Sequence, residues 1–260
     1  MNYWTKISIE YANQRHYLDD LFIVYPTIPE GIRDIDKGKL AQIERAFQKK
    51  DNVALMDELL DCELFPLKDS YVAYLKRDQS AIKRNPATVS RLCGRLYEMG
   101  LDKIFERCAE PKETNRQIGP LFKRWLKSKA LGVECLPTSQ FLRTKDNAIL
   151  DGSDAELMAF ATKQLNYTHT KGLDMVARFN GKYIIAEAKF LTDFGGHQNA
   201  QFADALSTLR AECSAIKIGI LDGVLYIEGR NKMYSYLTDH KEQYNIMSAL
   251  VLREFLYQVK

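Results

Sequence analysis

Histidine is scarce in this chain, with four in all. Its five cysteines (Cys62, Cys93, Cys108, Cys135 and Cys213) are an odd number with no Cys-x-x-Cys spacing. That pattern excludes a disulfide frame and a cysteine-based zinc site, and leaves reduced thiols. No apolar run is long enough to span a bilayer. The opening stretch, MNYWTKISIEYANQRHYLDD, has acids and polar residues where a secretory signal needs an apolar core. The expectation is a cytoplasmic protein with no membrane contact. No GxxxxGK[ST] loop occurs, so no nucleotide cofactor is expected. Repeats and low-complexity tracts are absent too. What remains is ordinary globular composition. The 260 residues are 46% hydrophobic and 27% charged, enough chain for one large domain or two small ones.

The most informative stretch is Gly172–Lys189, GLDMVARFNGKYIIAEAK. Met175–Phe179 and Lys182–Lys189 are rich in strand formers, and Asn180-Gly181 lies between them. Asn-Gly favours a two-residue type I′ turn, because both turn residues need positive φ. Phe179 then pairs with Lys182, and the same register sets Asp174 opposite Glu187, on one face. Lys189, two residues further, shares that face. Asp174, Val176, Arg178, Tyr183, Ile185, Glu187 and Lys189 fall on this side. Met175, Ala177, Phe179, Lys182, Ile184, Ala186, Ala188 and Phe190, nearly all apolar, fall on the other, which is the expected core side. Two opposed carboxylates repel unless a cation sits between them. Two hard oxygen ligands completed by water suit Mg²⁺, which often shares its shell with phosphate.

Asp174 followed by Glu187-Ala188-Lys189 on the next strand resembles the PD-(D/E)xK nuclease signature. Leu173 stands where that signature has proline. The resemblance covers about 18 residues. It implies a Mg²⁺-dependent phosphodiesterase with a mixed central β-sheet flanked by helices, an α/β (α+β) fold with a restriction-endonuclease-like core. It also implies catalytic roles for Asp174, Glu187 and Lys189. Asp174, Glu187 and the Ala188 carbonyl would hold the metal. Lys189 would orient the attacking water, stabilise charge growing on phosphorus, or take the proton itself.

Charge is unevenly spread. Residues 76–129 hold 14 Lys/Arg against 6 Asp/Glu, a balance of +8 in a chain of net +3. This suggests a polyanion partner, with a solvated helix surface as the alternative. Residues 1–75 look mostly helical, with Lys39–Lys50 and Asn52–Glu63 amphipathic. Asn85-Pro86 opens another helix that ends near Gly100. Its Arg91 and Arg95 point away from the apolar stripe, and the run resembles the recognition helix of a winged helix-turn-helix. Thr114–Lys129 is a second basic helix, with Thr114 and Gln117 as a capping box. Arg116, Lys123 and Lys127 line up along it as candidate phosphate contacts.

Ser153–Asn166 forms the helix before the hairpin. Glu156 there is either a further catalytic acid or the partner of Ser153 in a capping box. After Lys189 comes a Gly195-Gly196 turn and a helix from about Asn199 to Glu212. His197, Gln198, Asn199 and Gln201 lie at its start, and amide side chains can bond adenine edges in the major groove. They are the candidate base readers; a hydrogen-bonded loop and cap is the alternative. Asp222-Gly223 reads as a second hairpin turn, and Lys241–Gln258 as a closing helix.

In style the chain resembles a type II restriction endonuclease of bacteria or archaea. That resemblance implies double-stranded DNA as substrate and a homodimer. A structure-selective repair or recombination nuclease is the first alternative, and a non-catalytic DNA-binding regulator the second. The expected division is a helical N-terminal region, 1–110, that contacts DNA or dimerises, and a nuclease core, 111–260.

Overall fold

Asn2, Asp36, Asp51, Asp69, Ser153 and Asn231 each present a side-chain oxygen to the N–H two or three residues on, and a helix starts after each. The computed structural model describes residues 1–14, 16–27, 34–110, 117–239 and 244–260. The chain begins with α1 (Tyr3–Ala12) and α2 (Tyr17–Val24). Then come α3 (Lys37–Gln48), α4 (Asn52–Leu60), α5 (Ser70–Arg77), α6 (Ala81–Arg84), α7 (Pro86–Met99) and α8 (Leu101–Cys108). The remainder alternates: α9 (Ile118–Lys127), β1 (Cys135–Leu136), α10 (Thr138–Arg143), β2 (Ala148–Leu150), α11 (Asp154–Leu165), β3 (Met175–Phe179) and β4 (Lys182–Leu191). It closes with α12 (Gly196–Arg210), β5 (Ile216–Gly223), α13 (Lys232–Thr238), β6 (Asn245–Met247) and α14 (Leu252–Gln258).

Packing divides the chain into two units, residues 1–27 with 114–260, and residues 28–113. The first 27 residues therefore pack with the sheet. The second unit is helical, α3 to α8 around Ile43, Leu55, Met56, Leu59, Leu92 and Leu96. The first unit holds a mixed sheet in the order β1-β2-β3-β4-β5-β6. β3 runs antiparallel to β2 and β4, while β1–β2, β4–β5 and β5–β6 are parallel pairs. This is the expected mixed α/β architecture.

The motif hairpin closes as the sequence predicts. Asn180 and Gly181 both have positive φ, 51° and 75°, and the ladder runs from Phe179 opposite Lys182 to Met175 opposite Ala186. One face packs Met175, Ala177, Phe179, Ile184 and Ala186 against Phe122 of α9 and Leu206 of α12. The other face departs from expectation, because it is buried as well. Val176 and Ile185 pack under Phe141 of α10 and Leu157 and Phe160 of α11. Even Arg178 is buried there, its guanidinium bonded to the Phe141 and Asp146 carbonyls and lying over the Phe141 ring. The polar groups at the hairpin's open end thus interrupt a sheet covered on both sides.

Asp222-Gly223 is not a hairpin turn. β5 runs through both residues beside β4, in parallel, and residues 224–226 form a short 3-10 turn. The cause is tertiary. The buried Asp222 carboxylate accepts bonds from the Tyr25 and Ser248 hydroxyls and the Ala249 N–H, at 3.1, 2.5 and 3.2 Å. Gly223 has φ +102°, and a Cβ there would collide with the Leu191 carbonyl.

The closing helix is also shorter than its apolar period suggests. Asn245–Met247 is a strand, Ala249–Val251 a 3-10 turn, and only Leu252–Gln258 is α-helical. Residues 241–243 lie outside the described residues. Side chains of α1 fix the strand: the Thr5 hydroxyl donates to the Ile246 carbonyl at 2.8 Å, and Ser8 Oγ accepts the Ser248 N–H at 2.9 Å. These bonds outweigh helical periodicity. All five cysteines are free, and no described helix is long and apolar enough to cross a membrane.

Candidate active site

Asp174 stands one residue before β3, just past the last ladder pair, Met175 opposite Ala186. Its N–H donates to the Ala186 carbonyl at 3.0 Å, and its Oδ2 accepts the Ala188 N–H at 2.8 Å. The carboxylate thus takes the place of a backbone partner at the ladder's end. Lys189 Nζ lies 2.6 Å from Glu187 Oε1 and 3.6 Å from Asp174 Oδ2. It also donates to the Ala188 carbonyl at 3.2 Å. The three side chains named from the sequence therefore meet at one point.

Two residues that the sequence reading missed join them. Lys171 Nζ sits 2.9 Å from Glu187 Oε1 and 3.3 Å from Asp204 Oδ2 on α12. Asp154, first residue of α11, lines the same cleft of about 400 Å³. Gly172 makes this possible. A Cβ there would come within 2.7 Å of the Asp154 side chain, and the Leu173 N–H donates to the Asp154 carbonyl at 3.2 Å. That close approach carries the segment bearing Lys171 over the open end of the hairpin. No period or motif marks Lys171, and only its closeness to Asp174 in sequence hints at it.

Burial dominates the electrostatics. It pushes the Asp174 carboxyl up to about 6; Lys189 pulls it down and Glu187 adds to the rise. Burial also pulls against the Lys189 ammonium, but Asp174 and Glu187 outweigh it and its pKa lies above the usual lysine value. Glu187 is 1% exposed, and its Oε2 is buried with no hydrogen-bond partner. An orphaned carboxylate oxygen in a closed site points to a missing ligand.

The donor set fits a hard divalent cation. Asp174, Glu187 and the Ala188 carbonyl offer oxygen only. Among the described residues no group of three or more His, Cys, Asp or Glu side chains could hold a metal by itself. Mg²⁺ suits such a partial set, because it keeps several waters and shares its shell with phosphate.

The other residues named from the sequence scatter. Glu156 closes a capping box, its Oε2 accepting the Ser153 N–H and hydroxyl at 2.7 and 2.8 Å. From the same first turn, it is Asp154 that reaches the cleft. Lys123 bonds Asp154 and the Gly152 carbonyl, and Lys127 pairs with Asp151, so both flank the start of α11. Gln198 is buried against Thr192, and Asn199 bonds the Phe194 and Gly195 carbonyls. α12 begins at Gly196, earlier than expected, so both act within the loop and first turn. His197 and Gln201 bond one another at the exposed surface, 3.0 Å apart. In the helical unit Arg91 pairs with Asp69 at 2.8 Å and lies over the Tyr71 ring, and Arg95 is exposed. Thr114 and Arg116 lie outside the described residues.

Comparison with family models assigns the class of protein, a restriction endonuclease: the model described as Tsp45I type II restriction enzyme matches residues 2–259. The match covers nearly the whole chain, and the chain belongs to the Tsp45I type II restriction enzyme family. No curated protein and no solved structure matches it.

Proposed function

We propose that the protein cuts double-stranded DNA at a specific sequence with Mg²⁺, on the PD-(D/E)xK plan, as a homodimer. The observation that carries this reading is the meeting of Asp174, Glu187 and Lys189, with Lys189 on Glu187 Oε1 and the buried Oε2 left without a hydrogen-bond partner. Asp174, Glu187 and the Ala188 carbonyl would hold the ion, which when bound supplies positive charge against the scissile phosphate. Asp174 is held in place by the Ala188 N–H. Lys189 is favoured in its charged form by its two carboxylate neighbours. Its role is electrostatic: it orients the attacking water and offsets charge building on phosphorus. Lys123 and Lys127 flank the cleft as phosphate contacts, with Arg91 and Arg95 as a separate DNA-contacting face on the helical unit. His197 and Gln201 are the exposed candidates for base contacts.

Plasmid DNA incubated with the protein and Mg²⁺ tests this. Discrete fragments with one repeated end sequence are expected, and none with EDTA. Smears, or a preference for branched substrates, would favour a repair nuclease. Binding without cutting would favour a regulator.

A further inference from the structure

Two ammonium groups share one oxygen at the centre of this site. Lys171 and Lys189 lie 2.9 and 2.6 Å from Glu187 Oε1, Lys171 as an ion pair without hydrogen-bond geometry, while Oε2 has no hydrogen-bond partner. With Asp174, this core holds two carboxylates and two ammoniums, and so carries no net charge. A divalent cation entering it gains only the weak, solvent-screened attraction of the exposed Asp204 and is repelled by both lysines at short range. Lys189 belongs to the motif strand and reaches both acids. Lys171 differs. It arrives from the segment pinned by Gly172, and its second partner, Asp204, is an exposed acid on α12. It can therefore leave Glu187 without losing all pairing, and its departure turns the core into a net anion.

We propose that Lys171 is a positioning residue that occupies the cation's place: it holds Glu187 in the free protein and keeps the affinity for divalent metal low. This rests on the reading of Asp174 and Glu187 as metal ligands. Its consequence is that loading waits until a substrate phosphate adds the missing negative charge.

The test is a Mn²⁺ titration of the full chain without DNA, with free Mn²⁺ followed by electron paramagnetic resonance. Thermal melts check that each variant is folded. Lys171→Met should bind Mn²⁺ at least about tenfold tighter than wild type, and Lys171→Arg should bind as wild type does. A residue that merely supported the fold would weaken binding when removed, not strengthen it. Equal or weaker binding by Lys171→Met, with Glu187→Gln losing its binding, would overturn this role and leave the metal site standing. No binding by Lys171→Met, or binding that Glu187→Gln leaves intact, would overturn both.

Discussion

The Asp174 carboxylate accepts the Ala188 N–H at 2.8 Å, so one side chain both ends the hairpin ladder and faces the cleft. Deleting it has two effects that must be separated. Asp174→Ala leaves a buried N–H unpaired and should cost about 1–3 kcal/mol of stability. Asp174→Asn keeps an acceptor for that N–H. It should melt near wild type yet cut at least about 100-fold more slowly. Urea melts and single-turnover cleavage, run on both variants, check this.

Glu156 and Asp154 lie two residues apart but should behave differently. Glu156→Ala removes half of a capping box and should lower the melting midpoint slightly, with cleavage within a few-fold of wild type. Asp154 lines the cleft and pairs with Lys123. Asp154→Ala should change the Mg²⁺ concentration needed for half-maximal cutting. Melts and Mg²⁺ titrations distinguish the two.

Asp222 gives a pH signature. Burial pushes its carboxyl from 3.8 up to about 6, against the pull of its hydrogen bonds from Ser248, Ala249, Tyr25 and Tyr17. A raised folded-state pKa means the native protein holds the proton more tightly than the unfolded chain. The stability this supplies is fully present below about pH 4 and is lost as pH rises through about 6, ~3 kcal/mol in all. Asp222→Asn cannot titrate. Relative to this variant, wild type should lose stability between pH 4.5 and 7, as read by urea melts; a constant difference would contradict the argument.

Gly223→Ala should be among the most damaging single methyls in the chain. The residue sits at φ +102°, and an added Cβ would collide with the Leu191 carbonyl. Strain and collision together should cost about 3 kcal/mol or more, visible as a lower urea midpoint.

Binding by the helical unit is tested with the catalytically silent Glu187→Gln protein. Arg95→Ala should weaken affinity uniformly across DNA sequences and lower the salt slope by about 1. Arg91→Ala also releases Asp69 and should weaken binding more. Fluorescence anisotropy at several salt concentrations reads both.

The hairpin was legible because its signals are local. Asn180-Gly181 fixes the turn, and a period of two fixes the faces. From these the meeting of Asp174, Glu187 and Lys189 follows without knowledge of the rest. What failed was non-local. Nothing in the alternation of β3 and β4 says that α10 and α11 cover the second face. Asp222-Gly223 looks like a turn until four donors from distant segments are counted around the Asp222 carboxylate. The strand at residues 245–247 depends on Thr5 and Ser8, more than 200 positions away. Lys171 belongs to a segment with no period at all, and its contact with Glu187 depends on how closely Gly172 approaches α11.

The central claim is that the open end of this hairpin is where DNA is cut. Its most direct test is single-turnover cleavage of plasmid DNA with Mg²⁺ by wild type, Glu187→Gln and Lys189→Ala, each shown by melting to be folded. The account predicts discrete ends from wild type and rates at least about 100-fold lower from both variants. Folded variants that cut at the wild-type rate would contradict it.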